Sequence, residues 1–312
     1  MSNNNKIFEF DIAIAFDWAY DFDFIHLMKS EAVRNGLTVL IITADNLNEV
    51  LEGIKNGSYR IQSLFDRASD TSPSFIPLQK LLVLNGCFIF DTIDRVRWAS
   101  DKATMHLEFV SAGIRTPYTI ILPPHSQDQN LSLSISDLAV LGRSFIIKPA
   151  NTTGGGIGVV NGAETLQDVI NARKHFIDDK YLLQEKIVPM EKEGKRYWFR
   201  GFYAFGQTIF TWWDIYTHIY SEMTEEENKD QQFSELHTII NKIFNICKLN
   251  FFSTEIAMTD NGEFVVVDYI NEACDMRPQF RYHDGVPDIL IEEIASHFVR
   301  FVINQLKYYV KL

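Results

Sequence analysis

The segment from Ser144 to Gly158, Ser-Phe-Ile-Ile-Lys-Pro-Ala-Asn-Thr-Thr-Gly-Gly-Gly-Ile-Gly, constrains this chain more than any other. Phe145, Ile146 and Ile147 are apolar on both alternating faces, as in a strand covered on two sides. Lys148 follows without a polar buffer, and an ammonium group carried into such a layer needs an anion to offset its desolvation. Beyond it, Thr152 and Thr153 supply hydroxyl donors. Four glycines between Gly154 and Gly158 let successive N–H groups close on an anion with no Cβ in the way. The pattern suits phosphate. A glycine-rich hairpin whose lysine reaches out to water satisfies the same residues. It is not a P-loop, because no Gly-Lys-Ser/Thr follows the glycines and the lysine precedes them.

A hydrophobic content of 46% over 312 residues is enough for two or three compact units. The formal charge of −12 argues against a general nucleic-acid or anionic-membrane binder. Cys87, Cys247 and Cys274 are far apart and odd in number, so neither a disulfide framework nor a zinc site is indicated. No run approaches the roughly 20 apolar residues that span a bilayer, and residues 1–10 lack the pattern of a secretory leader. A cytoplasmic protein is expected.

Along the chain, the apolar runs at 11–16 and 38–43 alternate with helix-spaced segments at 21–35 and from Asn46 to Gly57, the latter with an expected Asn46/Glu49 capping box. A helix at 76–84 and a buried strand at 87–90 complete a small doubly wound α/β unit with a parallel sheet. Its loop Asp17-Trp-Ala-Tyr-Asp21 either meets a substrate or packs on a neighbouring unit. Ser100 is the expected N-cap of a helix that Gly113 stops. Further on come the Lys148 strand, a strand at 181–188, two strands around Gly206, a charged stretch at 224–230, a hairpin at 251–270 and a terminal helix from Pro287 to about Tyr309.

Taken in order, Asp101-Lys102, Gly113-Ile-Arg-Thr-Pro117, Ile147-Lys148-Pro149 with its glycine loop, Leu183-Gln-Glu-Lys-Ile187, and Glu255 with Asp268–Asn271 resemble the ATP-grasp superfamily, of the carboxylate–amine ligase type typified by glutathione synthetase and D-alanine:D-alanine ligase. The resemblance implies an α/β and α+β chain: an N-terminal doubly wound unit (1–99), a small ATP-grasp subdomain with the glycine loop (100–187), and a C-terminal subdomain with the metal site (188–312). It also implies that Lys102 and Lys148 meet nucleotide phosphates beside Thr153, Gly154, Gly155 and Gly156. Gln184, Glu185, Lys186 and Ile187 then form the strand that meets adenine. Glu191 or Glu193 is a candidate for the ribose. Arg200 lies where relatives place an arginine near the transferred phosphate. Strand alternation brings Arg196 to the same face. For Arg200, stacking on Trp198 at the surface is the alternative. Mg2+ is assigned to Glu255, Asp268 and Asn271, and Arg277 to an acceptor's carboxylate; an Asp275–Arg277 pair that only shapes its loop is the rival. Relatives carry their acidic residue and asparagine two apart, whereas Asp268 and Asn271 are three apart. Either a bulge brings Asn271 inward or Glu272 replaces it. Glu255 and Asp268 read as a repulsive pair whose neutralisation leaves the fold intact or slightly stabilises it.

The implied activity is an ATP- and Mg2+-dependent ligase that joins a small-molecule or peptide carboxylate to an amine through an acyl phosphate, with Arg200, Lys148 and Arg277 in the reacting region. Two alternatives stay open: a small-molecule kinase of the same fold and a non-catalytic nucleotide-binding protein. Neither nucleic acid nor a membrane is an expected partner.

Overall fold

The computed structural model describes residues 6–129, 131, 133–152 and 156–309. The expected Thr153, Gly154 and Gly155 contacts lie outside these residues. The first unit contains β1 (Phe8–Phe10), β2 (Ile12–Phe16), α1 (Phe22–Arg34), β3 (Val39–Ile42), α2 (Leu47–Lys55), β4 (Tyr59–Ile61), β5 (Ser63–Arg67), α3 (Ile76–Leu84) and β6 (Phe88–Ile89). Strands β3-β2-β5-β6 form the parallel sheet, with Ala13 opposite both Leu40 and Leu64, while β1 and β4 pair separately. Strand β5 has no counterpart in the sequence reading. Its five residues carry Ser63, Asp66 and Arg67, so neither strand alternation nor an apolar run marks it.

Two helix starts differ from expectation. Asn46 does not form a capping box: its Oδ1 accepts from the Thr43 N–H at 2.9 Å, its Nδ2 donates to the Ile41 carbonyl, and Glu49 accepts from Tyr59. Ser100 ends α4 (Ile93–Ser100), and Asp101 instead caps α5 (Lys102–Ser111), accepting from the Thr104 N–H at 2.7 Å. A carboxylate at this position both satisfies an orphan N–H and opposes the positive helix end.

The second layer holds β7 (Thr119–Leu122), α6 (Ile135–Leu141), β8 (Phe145–Pro149), β9 (Val160–Ala163), α7 (Leu166–Arg173) and β10 (Tyr181–Glu185), in antiparallel order β7-β10-β8-β9. The third holds the short hairpin β11 (Glu191–Lys192) and β12 (Lys195–Arg196), then β13 (Trp198–Ala204), β14 (Gln207–Trp213), β15 (Tyr220–Glu222), α8 (Glu225–Lys229), α9 (Ser234–Cys247), β16 (Phe251–Met258), β17 (Phe264–Asn271) and α10 (Asp288–Tyr309). Its five-stranded antiparallel order is β15-β14-β13-β16-β17. The charged stretch at 224–230 is the solvated helix α8, with a Thr224/Glu227 capping box.

One face of this last sheet, including Phe199 and Phe252, packs on Leu236, Ile240 and Ile243 of α9. Gly201 permits that approach, since a Cβ there would lie 2.8 Å from the Phe210 ring and 2.9 Å from Ile240 Cδ1. The other face, with Phe202 and Phe251, shares a core with α1 and α10, so the C-terminal helix packs against the N-terminal unit. The end of β5, the strand β8 and one face of the five-stranded sheet all line one space. Among the described residues no helix is long and apolar enough to cross a membrane.

Candidate active site

That space is a cavity of about 850 Å³. The strand β8 delivers Lys148 into it, 7% exposed, and the start of α5 delivers Lys102. The Lys102 N–H donates to the Ala150 carbonyl at 3.2 Å, which holds the helix start against the loop that leaves β8. Arg200 comes from β13, Glu255 from β16 and Asp268 from β17.

Cations and carboxylates alternate here. Lys148 Nζ donates to Asp268 Oδ1 at 3.4 Å and to the Val267 carbonyl at 3.2 Å. Arg200 Nη2 lies 3.2 Å from Glu255 Oε1, and Glu255 Oε2 accepts from the Trp198 indole N–H at 3.1 Å. The expected repulsive pair is thus two ion pairs, because each carboxylate has its own buried cation. Burial pushes the Lys148 ammonium below the ordinary lysine range, with Lys102 adding to the shift and Asp268 opposing it. Burial also disfavours the Asp268 anion, yet Lys148, Lys102 and Arg200 overcome this and hold its carboxyl at about 2. Arg200, despite burial, is kept more firmly protonated than an ordinary arginine by Glu255. Its guanidinium lies over Trp213, 4.7 Å from the ring centre, rather than over Trp198. Its Nε is buried with no partner among the described residues.

The two rivals for the third metal position are brought together. Ser253 pairs with Asn271 and Glu255 with Asp268, so Tyr269 and Ile270 together face the single residue Thr254. This is a bulge, the first of the two alternatives left open by the three-residue spacing. Asn271 and Glu272 both line the cavity with Asp268. Burial and the nearby Asp70 and Asp268 carboxylates raise the Glu272 carboxyl to about 7, against a favourable contribution from Lys102.

Other expected residues are placed differently. The Gln184 amide is 2% exposed and donates to Tyr269 Oη at 2.8 Å and to Thr119 Oγ1 at 2.9 Å; Glu185 accepts from the Tyr118 N–H at 2.7 Å. Neither side chain lines the cavity, and the ladder ends at Glu185, just before Lys186 and Ile187. Arg196 is drawn away from the cavity by Glu191 at 2.7 Å and Asp214 at 3.6 Å, which removes Glu191 as a free ribose partner as well. Arg277 does line the cavity. It is held by Asp275 and Asp284 at 2.7 and 2.9 Å, between the rings of Tyr20 and Tyr282.

The N-terminal wall was not legible in the sequence. Arg67 at the end of β5 makes a buried two-point pair with Asp21, at 2.8 and 2.7 Å, and donates to the Cys274 carbonyl at 2.8 Å. Of the two roles open to the loop containing Asp21, packing on a neighbouring unit is the one seen: Asp21 fastens the N-terminal unit to the C-terminal loop through Arg67, while Trp18 and Asp21 also line the cavity. Asp70 also faces this end, and burial raises its carboxyl above the ordinary range.

No protein-family model and no curated protein sequence matches the chain. Solved structures do. The D-alanine–D-alanine ligase from Bacillus anthracis complexed with ATP superposes with a TM-score of 0.67 at 14% identity, over 96% of this chain and 98% of that one. A RimK domain ATP-grasp protein from Sphaerobacter thermophilus gives 0.63 at 17% identity, over 93% and 98%. This chain has the ATP-grasp fold. The ATP-grasp ligase PsnB, complexed with a minimal precursor, Mg and ADP, matches with a TM-score of 0.60 at 12% identity over 95% and 98%.

Among the described residues of this chain, no cluster of three or more His, Cys, Asp and Glu side chains could hold a metal unaided. Magnesium seldom needs one, since it is commonly bound through one or two carboxylates and substrate phosphates. The all-oxygen set of Glu255, Asp268 and Asn271 fits that ion. Lys148, Lys102 and Arg200 line the same cavity and bring three cations to it, a set that suits phosphates.

Proposed function

We propose that this protein is an ATP-dependent carboxylate–amine ligase. The observation that carries the reading is the alternation of Lys148, Asp268, Arg200 and Glu255 around one cavity that also reaches Asp70, Glu272 and Arg277. Lys148 and Lys102 bind the triphosphate, and Arg200 meets the phosphoryl group in transfer. Glu255 and Asp268, with Asn271 or Glu272, hold magnesium, which when bound supplies counter-charge at the phosphate oxygens. Lys148 and Arg200 would turn from Asp268 and Glu255 to phosphate oxygens, leaving the two carboxylates to hold the ion.

In the reaction, a carboxylate oxygen of the first substrate attacks the terminal phosphorus and ADP leaves. The amine then attacks the acyl carbon and phosphate leaves, with the amine proton lost. Asp70, on the N-terminal wall of the cavity, suits an acceptor that arrives as an ammonium. Enclosure between the layers keeps water from the acyl phosphate. Incubation with MgATP and pooled amino acids and peptides tests the reading. A ligase releases ADP and phosphate in equal amounts only when carboxylate and amine are both present. ADP with a stable phosphoester and no free phosphate would mean a kinase instead.

A further inference from the structure

The bulge in β17 does more than bring Asn271 inward. It inserts Tyr269, 0% exposed, between α5 and the phosphate-side lysine. Lys148 Nζ lies over the Tyr269 ring, 5.2 Å from its centre, and Phe109 packs on that ring at 5.6 Å. For packing alone a phenylalanine would serve, but the hydroxyl is fully used.

Gln184 Nε2 can only donate, so Tyr269 Oη accepts from it at 2.8 Å. The same hydroxyl lies 2.9 Å from His106 Nδ1, so it also hydrogen-bonds the histidine of α5. Burial and the Lys148 charge both push His106 below the ordinary histidine range, which favours the uncharged imidazole beside that hydroxyl. One hydroxyl thus joins β10, α5 and β17 beneath the ammonium of Lys148. Buried networks in which every member is satisfied fix geometry tightly.

We infer that Tyr269 is a positioning residue: it fixes the Lys148 ammonium for the phosphates and ties it to the strand that leads into Lys186 and Ile187. This inference rests on the nucleotide reading of the cavity. An ammonium on four rotatable bonds loses much freedom on binding, and a fixed ring beneath it lowers that cost in advance. The role lies in orientation, because Tyr269 itself does not line the cavity.

The test is a double-mutant cycle read by calorimetry with MgATP and with adenosine. Tyr269→Phe should weaken MgATP about tenfold while changing adenosine less than about twofold, as for a buried group left without its hydrogen bond. Lys148→Met should weaken MgATP more, and the double variant should be no weaker than Lys148→Met alone, because the tyrosine acts through the lysine. A merely structural tyrosine would give additive losses, or losses shared by adenosine, and either result overturns the inference. So does a Tyr269→Phe protein that binds MgATP like the parent. Should Tyr269→Phe fail to fold, His106→Leu removes a hydrogen-bond partner of the same hydroxyl and enters the cycle under the same criteria. A parent protein that binds neither ligand overturns the nucleotide reading and this inference together; a binding parent with an additive cycle overturns only the inference.

Discussion

Replacing Asp268 by Asn preserves shape and removes one charge, and the structure sets the sign of the result. Two facing carboxylates without cations would repel, and the variant would gain stability. Here Lys148, with a side chain 9% exposed, keeps its charge near Asp268 at 3.4 Å, and the variant deprives that ammonium of its anionic partner, leaving neutral contacts such as the Val267 carbonyl and the Tyr269 ring. Breaking a fully buried pair costs about 3–5 kcal/mol. The Asp268 side chain is 34% exposed and the contact is long, so solvent screening reduces the expected loss to about 1–2 kcal/mol. Its pH dependence follows from the depressed carboxyl. Asp268 titrates at about 2 in the folded protein against 3.8 for the free side chain, so the contribution is complete above about pH 4 and disappears as pH falls toward 2. Urea unfolding followed by circular dichroism at a series of pH values measures it. An Asp268→Asn protein equally or more stable than the parent at pH 7 would refute the ion-pair account.

Glu272→Gln should have the opposite effect. Its raised carboxyl favours the folded state below the unfolded value of 4.5 and loses that advantage as pH rises through about 7. The variant should therefore gain up to about 3 kcal/mol at pH 8 relative to pH 4, read by the same unfolding series. Asp21→Asn leaves Arg67 buried and unpaired at the contact between the N-terminal unit and the Cys274 loop, and should cost about 3–5 kcal/mol in the same assay. Gly285→Ala should impair turnover more than folding of the sheets. Its Cβ would lie 2.5 Å from the Arg277 carbonyl, displacing the loop that holds Arg277 between Tyr20 and Tyr282, and an unchanged rate would count against a role for that loop.

The sequence revealed what depends on local pattern. Lys148 was recognisable because an apolar strand ended on a charge, and the Asp268–Asn271 spacing, set against the family pattern, left a bulge and Glu272 as alternatives because strand faces alternate. Cap competition was less legible. Ser100 and Asp101 both suit a helix start, and only the break between α4 and α5 decides between them. Side-chain destinations were least legible. Arg196 shares alternation with Arg200, yet Glu191 and Asp214 draw it aside, and Gln184 is spent on Tyr269 and Thr119. Arg67 and Asp70 were missed because β5 has no apolar signature, and their importance arises from residues about 200 positions away, such as Cys274.

The central claim is that Lys148 stands at a nucleotide phosphate site, and calorimetry of MgATP with the parent and Lys148→Ala tests it most directly. Loss of one charge-assisted contact should weaken binding about ten- to a hundredfold, corresponding to about 1.5–3 kcal/mol. Equal affinity of the two proteins would contradict the account.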